Sequence, residues 1–313
     1  MNAVAADPSR GPGLLLGIAC GLVVPFVWAG WIVASRYSVT TALTPWDIAA
    51  LRVGVGAILV SPLALLRGYG GLGLGKALVL TAGAGAPFAI CSFGGMSFAP
   101  VADAGVLSNS AMPVFAALIA FLWHRTRPAL HQFAGFALIV GGAAAIGGEG
   151  LFAGAPGQWK GHVLFLAAGA LFALYMTALR TWRVAIPQAL VAVSITSAVV
   201  YVPLWALLLP SNIVGAAGPL PWDQIALHAV YQGVVASFLV VTLVTRATRS
   251  VGAPTVAVFL SAVPALGAIF AIPLLGEIPS WLATIGIAIA TAGSLLAVLP
   301  RRRRLSGSAA PSG

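Results

Sequence analysis

The sequence predicts an all-α integral membrane protein of ten transmembrane helices, arranged as two inverted five-helix repeats. Three observations carry that prediction. The 313 residues are 60% hydrophobic and 7% charged, a balance that would expose apolar surface to water, so a bilayer is the natural solvent. The apolar residues fall into ten stretches of about 20, each long enough to cross a ~30 Å hydrocarbon core. Equivalent residues recur between the two halves of the chain. The 37 Gly agree with this class, because helices that pack in lipid use small residues to bring backbones close.

Cutting at charges, prolines and glycines places the elements. Span 1, Gly13–Ser35, follows Asp7 and Arg10; its apolar run exceeds a signal-peptide core and leads into further spans, so it is expected to stay uncleaved. Span 2, Trp46–Leu66, begins on a tryptophan, carries Arg52 inside and stops before Arg67. Span 3, Lys76–Met96, follows the loop Gly68–Gly75, which lacks the GK[ST] ending of a phosphate loop. Span 4, Pro100–Trp123, holds Pro113, which removes one backbone hydrogen bond and should bend the helix. Pro25, Pro87 and Pro264 should do the same in spans 1, 3 and 9. Span 5 is Ala129–Gly148, span 6 Trp159–Thr181, span 7 Pro187–Leu209, span 8 Trp222–Arg246, span 9 Gly252–Leu275 and span 10 Pro279–Leu299. Residues 1–148 thus form the first repeat with a short N-terminal segment, 149–300 the second, and 301–313 a basic tail.

Charge sets the orientation. Arg301–Arg304 after the last span places the C-terminus in the cytoplasm by the positive-inside rule, and ten crossings bring the N-terminus there too. The remaining charges check this. Arg10, Arg67, Lys76, Arg125, Arg127, Arg180, Arg183, Arg246 and Arg249 fall on the same side, and only Arg36, Arg52 and Lys160 do not. Asp47, Asp103, Glu149, Asp223 and Glu277 lie near the outer ends. Trp46, Trp159, Trp222 and Trp281 open spans at the outer face, and Trp123 and Trp182 close spans at the inner one, as interfacial anchors do. Trp28, Trp31 and Trp205 are left for other work.

At an offset of 151 residues, Ser110, Pro113, Pro128, Gly135 and Gly142 match Ser261, Pro264, Pro279, Gly286 and Gly293. At an offset of 144, Gly17, Ala29, Ala34 and Arg36 match Gly161, Ala173, Ala178 and Arg180, and Trp31 faces Tyr175. Five is odd, so tandem copies must cross in opposite senses, an architecture typical of transporters.

Ala253–Val298, with Pro264, Gly276-Glu277, Gly286 and Gly293, resembles the second repeat of the drug/metabolite transporter superfamily. The whole chain resembles the EamA-type exporters, including the aromatic amino-acid exporter group, through its ten spans, Arg52 in Ala49–Gly54 and Ala104–Pro113. It departs after span 4, where His124-Arg125-Thr126-Arg127 replaces a frequent acid that Glu277 retains after span 9; that acid reads as a helix-end feature. The resemblance implies export of small metabolites or drugs across the bacterial inner membrane.

The candidate substrate-binding residues are the polar and aromatic groups inside the spans: Trp28, Arg52, Asn109, Tyr175, His228, Tyr231 and Gln232. Gln224, His228, Tyr231 and Gln232 sit at i, i+4, i+7 and i+8 on one face of span 8, which either lines a cavity or hydrogen-bonds neighbouring helices. His228 and Gln232 lie ~9 and ~15 Å from the outer end, near the midplane. Trp28 and Trp31 are three apart, Trp28 being deep for a belt position, so it packs against Pro25 or forms a flat wall for substrate. Asn109 is four residues before Pro113, where the freed carbonyl sits. Arg52 pairs with Asp47 or reads a substrate carboxylate. Tyr175, Tyr201 and Trp205 would complete an aromatic lining.

The expected function is export of amino acids or similar small amphipathic metabolites by alternating access, as facilitated efflux. Proton-coupled multidrug export is the alternative, with His228 the titrating group near midplane. A polytopic enzyme would need a nucleophile, metal site or acid/base pair that the sequence does not supply, and a scaffold would leave the repeats unexplained. No cofactor, metal or nucleic acid is expected; the partners are a small-molecule substrate and the lipid bilayer, with the chain a monomer or homodimer. Cys20 and Cys91 lie toward opposite faces and read as packing residues.

Overall fold

The computed structural model describes residues 12–299 apart from 153 and 217, so Asp7, Arg10 and Arg301–Arg304 lie outside the described residues. Ten helices in it are long and apolar enough to span a membrane: α1 Gly13–Thr41, α2 Pro45–Arg67, α3 Leu74–Phe98, α4 Val101–His124, α5 Leu130–Phe152, α6 Gln158–Trp182, α7 Ile186–Leu208, α8 Trp222–Val251, α9 Thr255–Leu275 and α10 Trp281–Val298. The bundle's outside is apolar, with Leu65 88% and Phe152 91% exposed, as a lipid-facing surface requires.

Three spans run four or more residues further at one end than the sequence suggests, among them α5, which passes Gly148 and ends at Phe152. A helix can carry a charge past the end of its apolar run when the charge is paired, and α1 continues beyond Ser35 because Arg36 pairs with Glu277 at 2.6 Å. α8 continues past Arg246 and ends at Gly252, whose φ of 85° is costly for a side-chain-bearing residue. At the start of α2 the Thr44 side chain accepts from the Asp47 N–H while Asp47 accepts from the Thr44 N–H, a reciprocal cap.

Three of the four prolines coincide with a helix discontinuity. α3 breaks at Gly85, and Ser197 Oγ of α7 takes up the freed Ala86 N–H at 3.2 Å. In α4 the stretch Gly105–Ser110 winds as a π-helix before Pro113, and α9 is interrupted at Ser261-Ala262 before Pro264. Pro25 differs: α1 is continuous through it. α8 carries a second π-helical stretch, Ala229–Leu239, with no proline to announce it.

The packing shows the inversion directly. Gly135 faces Gly293 and Gly142 faces Gly286, so α5 and α10 run antiparallel. An added Cβ on Gly135 or Gly293 would come within 2.7 Å of the other's carbonyl oxygen, which is why both positions are glycine. These four residues are the two pairs matched at offset 151. The other main pairings are α1 with α8, α3 with α6, and α2 with α7, while α9 packs on α1 and α4 on α6. Exchanging the halves maps this set onto itself: α1–α8 becomes α6–α3, α1–α9 becomes α6–α4, and α2–α7 and α5–α10 are unchanged. Cys20 packs beside Ala247 and Val256, and neither cysteine is in a disulfide.

Candidate functional site

A cavity of about 370 Å³ lies within the bundle, lined by residues of every helix except α5 and α10. It reaches from Trp31, Ile32 and Arg52 near mid-bundle to Leu179 at the end of α6, Ile186 at the start of α7 and Thr245 near the end of α8. It therefore extends to the face that carries Arg180, Arg183, Arg246 and Arg249.

The opposite face is tied shut by acids that link the two halves. Arg36 Nε donates to Glu277 Oε1 at 2.6 Å and the same guanidinium donates to the Met96 carbonyl. Glu277 Oε2 accepts the Val101 N–H at 2.9 Å. Asp47 accepts from Trp205 Nε1 at 2.9 Å, Ser211 Oγ at 2.5 Å and the Asn212 N–H at 2.9 Å. Asp103 Oδ2 is 2.7 Å from both Gln158 Nε2 and His162 Nε2. Ser280 donates to Glu149 at 2.6 Å. The sequence places these acids at helix ends, but their bridging role needs partners 55 to 241 residues away, which no local pattern reveals.

Five of the seven candidate residues line the cavity: Trp28, Arg52, Asn109, Tyr175 and Tyr231. Arg52 does not pair with Asp47, whose oxygens are committed to α7 and the loop after it. Its Nη1 instead donates to Gln232 Oε1 at 3.0 Å, and its guanidinium lies 5.6 Å from the centre of the Phe88 ring. Tyr231 Oη donates to the Val27 carbonyl at 2.7 Å, holding α8 to α1.

His228 and Gln232 do not line the cavity. They are 0% and 1% exposed, on the side of α8 that packs into the protein. Gln232 Oε1 also accepts from Trp31 Nε1 at 2.8 Å, so this one amide orients both Trp31 and Arg52 from behind the wall. Neither ring nitrogen of His228 has a hydrogen-bond partner among the described residues. Gln224 donates to Thr41 at 3.0 Å near the outer end. Tyr201 is buried and donates to the Trp46 carbonyl, and Trp205 is held by Asp47, so neither joins the lining.

The aromatic wall instead comes from Phe88, Phe172 and Tyr175, whose rings follow one another at 5.2 and 5.6 Å. Phe172 was findable: the offset of 144 that matches Trp31 to Tyr175 also matches Trp28 to Phe172, and both pairs line the cavity. Phe88 carries no such signal. Among the described residues no cluster of His, Cys, Asp or Glu could hold a metal ion.

Ten spans in two inverted repeats around a central cavity define the architecture of a membrane transporter. The profile of the EamA-like transporter family matches residues 15–148 and again 159–299, and the chain belongs to that family. A crystal structure described only as "Crystal structure of protein" aligns over 92% of this chain and 97% of its own, with a TM-score of 0.56 and 20% identity, a likeness of fold alone. Comparison with curated proteins gives no match.

Proposed function

We propose that this EamA-family transporter exports amino acids or similar small amphipathic metabolites across the inner membrane by alternating access. One observation carries the reading. The cavity combines an aromatic wall with Arg52, Asn109 and Tyr231, is open toward the arginine-rich face, and is closed toward the other by links between the halves. Positive-inside orientation makes the open face cytoplasmic, so the substrate loads from within. Rocking of the halves would break the acid-centred links and open the opposite face. Trp28, Asn109, Tyr175 and Tyr231 would contact the substrate, and Gln232 would act by holding Arg52 and Trp31 in place.

Facilitated efflux is the favoured energetics, because among the described lining residues none is Asp, Glu or His. Proteoliposomes loaded with labelled amino acids, amphipathic carboxylates or organic cations test this by efflux without an imposed pH gradient. The expected result is downhill loss of the amphipathic substrate. Flux only under a proton gradient would establish antiport, and no flux of any compound would remove the reading.

A further inference from the structure

We infer that the cavity selects monoanionic amphipaths, carboxylates with an aromatic or aliphatic tail, over zwitterions and over cations, with Arg52 receiving the carboxylate. The inference rests on the transport reading above and, within its substrate class, favours the small amphipathic carboxylates over the amino acids themselves.

The argument starts from charge. Among the described residues that line the cavity, Arg52 alone carries a formal charge. A guanidinium offers five N–H donors in a planar fork, and one is engaged by Gln232. Arg52 itself lines the cavity. A carboxylate matches it in geometry and cancels a charge that is costly at this depth in a membrane.

An ammonium group has no such counterpart. Asp47, Asp103, Glu149 and Glu277 are hydrogen-bonded to partners beyond the closed end of the cavity. The neutral polar groups that line the cavity, among them Ser108 and Asn109 on α4, Tyr175 on α6 and Tyr231 on α8, offer dipoles and no negative charge. A zwitterion bound through its carboxylate would hold its ammonium roughly 5 Å from the guanidinium, where like charges repel and removal from water is uncompensated. A cation meets the same repulsion, offset only in part by cation–π attraction to the aromatic wall.

The tail is placed by the same residues. Phe88 flanks the guanidinium and continues through Phe172 to Tyr175, with Trp28 also lining the space. A ligand with its carboxylate on Arg52 lays an apolar or aromatic body along this row. Gln232 fixes the fork in that direction, which makes it a positioning residue for anion recognition.

Two matched triads test the proposal with the full chain in proteoliposomes: phenylacetate, phenylalanine and phenethylamine, then indole-3-acetate, tryptophan and tryptamine. Equilibrium binding and flux are measured for each. In the native protein the acid should bind tightest and the amine weakest, with acid and amine separated by about ten- to a hundredfold, the range of one charge-assisted hydrogen bond. Arg52→Gln should bring the three within about threefold of one another, and Arg52→Lys should keep the order. A native protein that prefers the zwitterion or the amine overturns the inference, and so does Arg52→Gln with the order intact. The native ranking decides the matter if Arg52→Gln does not fold. If all six compounds move with no acid preference, the inference alone fails; if none binds or moves, the transport reading fails and takes the inference with it.

Discussion

Replacing His228 and Gln232 each by leucine should move stability in opposite directions, although they sit one turn apart on α8 and are equally buried. Gln232→Leu removes the acceptor of Trp31 Nε1 at 2.8 Å and of Arg52 Nη1 at 3.0 Å. The stranded indole N–H costs about 1–3 kcal/mol, and the charge-assisted bond of Arg52 about 1 kcal/mol more, because the guanidinium can turn to the cavity. The added apolar burial of leucine returns about 1 kcal/mol, so the variant should lose about 2 kcal/mol. Among the described residues His228 has no hydrogen-bond partner to strand. His228→Leu exchanges an unpaired buried imidazole for an apolar group of similar size, relieving about 1–3 kcal/mol of desolvation against up to about 1 kcal/mol of imperfect packing. It should be as stable as the native protein or up to about 3 kcal/mol more so. Unfolding of the purified variants in one detergent gives the ranking, and vesicle efflux gives the function. His228→Leu should transport normally, and Gln232→Leu should slow transport by loosening Arg52. A His228→Leu protein less stable than Gln232→Leu, or stable but inactive, would refute the reasoning and return His228 to the mechanism.

Gly142→Leu should separate α5 from α10, since even a Cβ there would lie 2.9 Å from the Ala290 Cβ and closer still to the Gly286 carbonyl; a loss of about 1–3 kcal/mol in unfolding is expected, and an unchanged midpoint would mean that the crossing is looser than described. With Cys20 and Cys91 replaced, cysteines at Ala155 or Ala216 should react with impermeant thiol reagents from the periplasm and one at Ser306 only after permeabilisation, the reverse pattern overturning the orientation. In the same background a cysteine at Leu190 in the cavity should be protected from the periplasm, and Arg36→Gln, which breaks the pair with Glu277, should raise its labelling from that side.

The sequence by itself determined the class of protein and most of the frame. Apolar length specifies a span without regard to neighbours, so all ten helices were legible to within a few residues except where a paired charge, Arg36, or a glycine stop, Gly252, set the true end. The glycines matched between the repeats turn out to form the α5–α10 crossing, a packing the repeat match alone does not specify, and of the cavity's aromatic residues Trp28 and Tyr175 were read from the sequence while Phe172 and Phe88 were not. Only the tertiary structure decided which polar face meets water. Gln224, His228 and Gln232 share one stripe by helical spacing, but periodicity cannot say whether a stripe faces a neighbour or a cavity, and here it faces neighbours. The π-helical winding of Ala229–Leu239 shifts the register along α8, and Tyr231 reaches the lining while Gln232 turns behind it. The partner of Arg52 was likewise undecidable locally: Asp47 is five residues away, and its carboxylate is claimed by Trp205, Ser211 and Asn212, whose approach depends on how α7 docks against α2. A buried charge takes the partner that packing delivers, and packing between halves is set by contacts far apart in sequence.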